Sequence, residues 1–135
     1  MHGRDRVAHD LGAVVDESAP GSATVSLHVQ ERMTNGLGIC HGGIVFTLAD
    51  MAMAHASNAG NGRTVATSAS IEWIRSAHVG DHLTATCRTI ARRGRNAVHD
   101  IVVTNAGGET VAVVRGQTLT LADRPAAEAR IRDDG

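Results

Sequence analysis

The alternation of apolar and polar positions divides the chain into short extended runs arranged around one long apolar segment. Residues 23–29 alternate cleanly. Ala23, Val25, Leu27 and Val29 share one face, and Thr24, Ser26 and His28 the other, the pattern of a half-buried strand. Before it, Ala13, Val14 and Val15 predict a first strand over 11–16, and Ser18-Ala19-Pro20-Gly21-Ser22 reads as a turn. Residues 1–10 are polar and predict a frayed end or one short helical turn. Residues 31–38 read as a loop that ends glycine-rich. From the His41-Gly42-Gly43 turn to Asn58 the alternation stops: Ile44, Val45, Phe46, Leu48, Met51 and Met53 do not keep to one stripe, and alanines fill the gaps. This predicts one helix, apolar nearly all round and therefore surrounded by protein. At 1.5 Å per residue it spans roughly 25 Å, enough to cross a sheet. Gly60-Asn61-Gly62 breaks it.

Four more extended runs follow, at 64–74, 83–90, 98–104 and 110–121, separated by a turn at 76–81, a basic hairpin turn at 92–96 and a second hairpin signal at 105–108. The tail from 122 to 135 is rich in Asp, Arg and Ala and reads as loose. A strand, a long helix and then consecutive strands joined by short turns make an α+β fold, an antiparallel sheet curled around one central helix. Such a sheet covers one side of the helix only, so pairing with a second copy is expected. At 135 residues, with no internal repeat and no linker, the expectation is a single domain over 1–135 with its core at about 11–121.

Composition narrows the chemistry. The chain is 42% hydrophobic and 20% charged, which suits an ordinary soluble core. A net charge of −1 offers no general attraction for nucleic acid, and with Phe46 and Trp73 the only aromatics there are no stacking platforms for bases. Trp73 reads as a packing anchor. All 13 basic residues are arginine, so lysine Schiff-base chemistry is excluded. Cys40 and Cys87 lack metal-ligand spacing and read as buried small hydrophobes. His78 and His82 have helical metal spacing, but Val79-Gly80-Asp81 between them reads as a turn, and no metal site is expected. Cys40 and His41 are adjacent in an extended segment and point opposite ways, against a thiol–imidazole pair. His55 and His99 read as satisfied or surface histidines. With no run of 18 apolar residues and no leader, the expected location is the cytoplasm and no membrane contact is expected. One residue stands out. Asp50 is the only acid between Cys40 and Gly62, a stretch without Arg or Lys. A lone carboxylate in a buried-looking helix is costly unless paired or used.

Asn35, Cys40-His41-Gly42-Gly43 and Leu48-Ala49-Asp50, followed by Ile71-Glu72-Trp73-Ile74-Arg75, Gly80-Asp81 and a closing Val113-Val114-Arg115-Gly116-Gln117-Thr118 strand, resemble the hotdog-fold acyl-CoA thioesterases, and more narrowly the PaaI-like group of phenylacetic acid degradation. The resemblance covers roughly residues 9–121. It implies hydrolysis of acyl-CoA thioesters, without metal or redox cofactor, of aromatic acyl groups such as phenylacetyl and hydroxyphenylacetyl or of medium-chain ones. It also implies a dimer with a continuous sheet, often paired into a homotetramer. By this match Asp50 corresponds to the catalytic carboxylate, and Gly42 is similar to the glycine whose N–H polarises the thioester carbonyl. His41 and Asn35 match neighbours that orient carbonyl or water. Related enzymes often carry Thr or Ser one helical turn past the carboxylate; here that position is Ala54, and Thr47 or Ser57 on nearby faces are the substitutes.

The residues themselves support this chemistry. A thioester needs an activated water or a carboxylate nucleophile, and a donor for the developing oxyanion. A helix start offers free N–H groups and the positive dipole end, and Gly42 and Gly43 admit a close substrate. Asp50 is the base or nucleophile. Eight residues of helix separate Gly42 from Asp50 by roughly 12 Å, too far for both to reach one carbonyl. The expected site therefore takes Gly42 from one chain and Asp50 from another. For the phosphates of CoA the densest basic cluster is Arg92, Arg93 and Arg95, with Arg75 and Arg115 as weaker candidates. Two alternatives remain open at the level of sequence: a hotdog hydratase or dehydratase pairing His41 with Asp50, and a non-catalytic acyl-CoA-binding protein.

Overall fold

The computed structural model describes residues 5–59 and 62–121. The expected loose tail and the Gly60-Asn61 part of the helix-ending break lie outside the described residues. A short helix, α1 (Arg6–Leu11), opens the chain. The Asp5 side chain accepts a hydrogen bond from the Ala8 N–H at 2.9 Å, and Gly12, at φ 71°, ends the helix in the left-handed conformation. The helix thus takes Leu11, and the first strand starts later than the apolar pattern implies, as β1 (Val14–Ala19). After the Pro20-Gly21 turn come β2 (Ser22–His28), a 3₁₀ turn (Glu31–Met33), the central helix α2 (Gly42–Asn58), then β3 (Thr64–Trp73), β4 (His82–Arg93), β5 (Asn96–Thr104) and β6 (Thr110–Thr120).

The six strands form one antiparallel sheet in the order β1-β2-β4-β5-β6-β3. Inward residues stand opposite one another across it: Leu27 faces Leu83, Val25 faces Ala85, Cys87 faces Ile101 and Ile101 faces Val114. These side chains are buried, and α2 lies across them. Strand β4 is longer than its alternation suggests because it continues, through a bulge after Thr89, into the arginine hairpin.

Helix α2 buries Val45, Leu48, Ala49, Ala52, Met53 and Ala56, spaced three and four apart, against the sheet. Gly116 on β6 has no side chain, and Met53 packs where a Cβ would stand, so the two elements approach closely. Within one chain the sheet covers only one side of the helix, as the order of elements leads one to expect. Gly43 and Asp50 are exposed and Thr47 and Ala54 only half-buried, so one flank is open. The alanines that made the pattern look uniformly apolar let the helix sit close to the sheet on one side, and they also occur on the open flank. The sheet also has two exposed edge strands, β1 and β3; of these β3 bears on the site. It bonds only to β6, and its residues from Val65 to Ser70 are exposed. Trp73, at 54% exposure, is not the packing anchor expected of it. It ends an edge strand, where no second layer covers it. Among the described residues no helix is long and apolar enough to cross a membrane.

Candidate active site

The loop before α2 is held by its own polar groups. Asn35 accepts at Oδ1 from the N–H groups of Leu37 (2.8 Å) and Ile39 (3.4 Å), and its own N–H donates to the Ile39 carbonyl. Gly38, at φ 80°, supplies the left-handed residue this tight loop needs. The Cys40 N–H donates to the Ala77 carbonyl at 2.7 Å and the His41 N–H to the Met33 carbonyl at 2.8 Å. His41 is thereby fixed as the residue before the helix. Its exposed side chain makes no capping bond. The N–H groups of Ile44 and Val45 turn back onto the His41 carbonyl, while those of Gly42 and Gly43 have no such acceptor inside the helix. The result is a helix start at which two glycines present N–H groups with no acceptor inside the helix, at the positive end of its dipole.

Beside it lies a cavity of about 220 Å³ lined by Asn35, Cys40, Gly42, Trp73, Arg75 and Ser76, among others. Trp73 Nε1 donates to the Gly42 carbonyl at 3.1 Å. Arg75 pairs with Glu109 at 3.3 Å, both well exposed. Burial pushes the Cys40 thiol up, and the charge of Asp81 adds to this, so it is held as a neutral thiol.

Asp50 lies two turns along α2 on the open flank, not in the buried setting its neighbours imply. The flanking protein still removes part of its water, and that desolvation raises its pKa, with the like charge of Asp5 adding to it. Thr47 donates its hydroxyl to the Gly43 carbonyl at 2.7 Å and Ser57 to the Met53 carbonyl at 2.7 Å. Both protons are committed to the helix, so either side chain can orient a water only by accepting from it.

Ser57 sits 15 positions beyond Gly42, roughly 22 Å along the axis. There it lines a second cavity of about 340 Å³ with Gly21, Thr64, Arg92 and Thr120. Arg93 and Arg95 are exposed around Gly94, the hairpin turn between β4 and β5. One chain therefore brings Asn35, His41, Gly42 and Gly43 to one end of α2, Thr47 and Asp50 to its open middle, and Ser57 and Arg92 to the other end. Arg115 is bidentate on Asp100, at 2.7 and 2.9 Å, and so already holds a carboxylate.

Two residues of consequence were not singled out by pattern. Trp73 walls the first cavity; its signal was the placement of a large aromatic at the end of a strand of small residues. His99 is fully buried on β5. Its Nε2 lies 2.8 Å from Thr118 Oγ1 and 3.3 Å from Ser57 Oγ, and its Nδ1 lies 2.9 Å from Thr89 Oγ1. Since Ser57 spends its proton on Met53, Nε2 carries the hydrogen and Nδ1 accepts from Thr89. Desolvation lowers the pKa of His99, and Arg92 lowers it further. His82 meets His28 across the β2–β4 ladder, Nδ1 to Nε2 at 3.3 Å, rather than His78. Among the described residues no three or more His, Cys, Asp or Glu side chains converge as a metal-ligand group.

Known proteins bear on this geometry. Residues 37–112 match the Thioesterase superfamily. The acyl-coenzyme A thioesterase PaaI of Escherichia coli K12 is 35% identical over 129 residues, 96% of this chain and 92% of the relative. The solved structure of E. coli PaaI, from the phenylacetic acid degradation operon, superposes with a TM-score of 0.88 over 90% of this chain and 88% of that one. A mutant structure of the phenylacetic acid degradation protein PaaI of Thermus thermophilus is 32% identical, with a TM-score of 0.83 over 87% of this chain and all (100%) of the other. A Streptococcus mutans UA159 protein solved with acetyl-CoA bound is 26% identical, with a TM-score of 0.79 over 84% of this chain and 91% of that one. With its curled six-stranded antiparallel sheet and single long helix, this chain belongs to the Thioesterase superfamily and has the hotdog fold.

Proposed function

We propose that this protein hydrolyses acyl-CoA thioesters to a free acid and CoA, acting on aromatic acyl groups of the phenylacetyl and hydroxyphenylacetyl kind or on medium-chain ones, without a metal or redox cofactor. The observation that carries the reading is 35% identity over 96% of the chain to a relative named as an acyl-coenzyme A thioesterase. The local geometry agrees with it. Gly42 and Gly43 present N–H groups beside a cavity wide enough for a thioester, and Asp50 stands on the same helix with its basicity raised.

In this reading the thioester oxygen sits on the glycine N–H groups and the Asp50 carboxylate takes a proton from water. The hydroxide adds to the carbonyl carbon, the C–S bond breaks, and the proton held by Asp50 goes to the departing CoA thiolate. Attack by the carboxylate itself, followed by hydrolysis of the anhydride, has the same balance. The roughly 12 Å between Gly42 and Asp50 makes each site a joint one. A second copy would cover the open flank of α2 and the unpaired edge of β3, the sheet edge whose last residue Trp73 lies beside Gly42, and would continue the sheet there. An antiparallel helix pair that sets Gly42 against the other copy's Asp50 runs the other copy's helix past the start of this one, with its Ser57 roughly 10 Å beyond. Ser57 and Arg92 then extend the site from the opposite protomer, where Arg92, with Arg93 and Arg95, serves the CoA phosphates. Two such dimers form the tetramer.

The test is an acyl-CoA panel read with a thiol-detecting reagent on wild type and Asp50→Ala. Thiol release by wild type, reduced about 100-fold or more in the variant, is the expected result. Equal turnover by both would remove Asp50 from the mechanism, and a change in enoyl absorbance without thiol would replace hydrolysis by hydration.

A further inference from the structure

Gly42 is the one glycine of the helix start whose missing side chain has an occupant. A Cβ there would lie 3.0 Å from Trp73 Nε1 and 3.1 Å from Cε2, whereas a Cβ at Gly43 would meet nothing within 4 Å. The indole occupies that space, and its N–H reaches the Gly42 carbonyl at 3.1 Å. That carbonyl also faces the amide four residues on, as every helical carbonyl does, so the indole takes its second lone pair. Trp73 is not held there by burial: it is 54% exposed, at the end of the edge strand β3, and walls the cavity beside Gly42. A large apolar side chain left half in water, with its polar atom spent on one backbone carbonyl, is unusual for a packing residue.

We infer that Trp73 is a positioning residue for the oxyanion-binding start of α2, holding the Gly42 carbonyl and thereby the aim of the Gly42 and Gly43 N–H groups. The inference rests on the hydrolase reading above. Two effects follow from one contact. The first turn of a helix frays because its N–H groups have no partners, and a clamp on its first carbonyl holds it still. The same bond withdraws electrons from the peptide between Gly42 and Gly43, which makes the Gly43 N–H a stronger donor. Both act on an oxyanion more than on a neutral carbonyl, so the effect belongs to kcat rather than to KM. Phenylalanine in place of Trp73 keeps a ring over Gly42 but has no N–H.

The experiment compares wild type, Trp73→Phe and Trp73→Ala with the best acyl-CoA of the panel, alongside melting curves. Losing one neutral hydrogen bond to the helix start predicts a kcat about three- to tenfold lower in Trp73→Phe, with KM within about twofold and a melting temperature lowered by no more than a few degrees. Gly42→Ala, made in both wild type and Trp73→Ala, provides a second reading: the added methyl meets the indole in the first and is relieved of it in the second, so its cost in kcat is expected to be larger in wild type. A Trp73→Phe enzyme with undiminished kcat, or a Gly42→Ala cost that is the same in both backgrounds, overturns the inference while leaving hydrolysis intact. A wild-type protein that releases no thiol from any acyl-CoA overturns the hydrolase reading and this inference with it.

Discussion

Asp50 is a charge that the folded chain disfavours and that the proposed reaction needs. Desolvation first, and repulsion from Asp5 second, raise its pKa, so its ionised form costs the native state stability at every pH above that raised value. The sign leads to two expectations. As the working base Asp50 must be ionised, so kcat/KM should fall toward acid with an apparent pKa above that of an ordinary aspartate; a profile flat down to pH 4, roughly an ordinary carboxylate pKa, would contradict the assignment. Asp50→Asn should lose activity yet melt at a higher temperature than wild type at neutral pH, and a lower melting temperature would contradict the desolvation argument. At this scale the places of Asp50 and Gly42, on the central helix and at its start, were legible because each is the wrong residue for a plain helix: a lone acid in an apolar run, and a glycine pair at a helix start. Trp73 and His99 were not. Their roles come from contacts with residues 31 positions away, in the case of Gly42, and 42 and 19 away, for Ser57 and Thr118, which no local spacing encodes.

The elements are tied together by pins that pattern does not display. His99 on β5 joins α2 through Ser57, β4 through Thr89 and β6 through Thr118, all as the neutral ring. Because its folded pKa is lowered, this contribution is complete above the unfolded histidine value of about 6.5 and is lost as pH falls below it toward the depressed folded value. His99→Gln should destabilise the fold at pH 7 by about 1–3 kcal/mol, and should flatten the fall in melting temperature between about pH 7 and 5. An unchanged slope there would show that other groups govern acid lability. The period-two strands and the run from Gly42 to Asn58 were readable because burial on one face imposes their period. Boundaries were less so, since they depend on single residues: Gly12 moved the first strand, and the bulge after Thr89 lengthened β4. That one flank of α2 stays open followed from the order of elements; which face it is did not, because alanine serves equally well against a sheet and in the open.

For the whole molecule, the order of elements was enough to place the chain in its fold, since a long helix followed by consecutive hairpin strands has few ways to bury its apolar face. What the order does not contain is a complete site. Each chain carries a glycine start with its cavity at one end of α2 and a carboxylate two turns on, and the two cannot meet on one rigid helix. The same chain leaves open the helix flank bearing Asp50 and the edge of β3. Incomplete chemistry and uncovered surface thus occur together, and a two-fold pair would resolve both at once. The measurement that tests this most directly uses heterodimers purified through two different tags, one protomer carrying Asp50→Ala and the other Gly42→Pro, which removes the N–H at the first helix position and sets a ring against Trp73, with the fold of each parent checked by its melting curve. In a shared arrangement one of the two sites regains both groups, so the heterodimer should show about half the wild-type turnover per dimer although both parents are inactive. Heterodimers no more active than their parents would mean that each chain holds its own site, and would contradict the account.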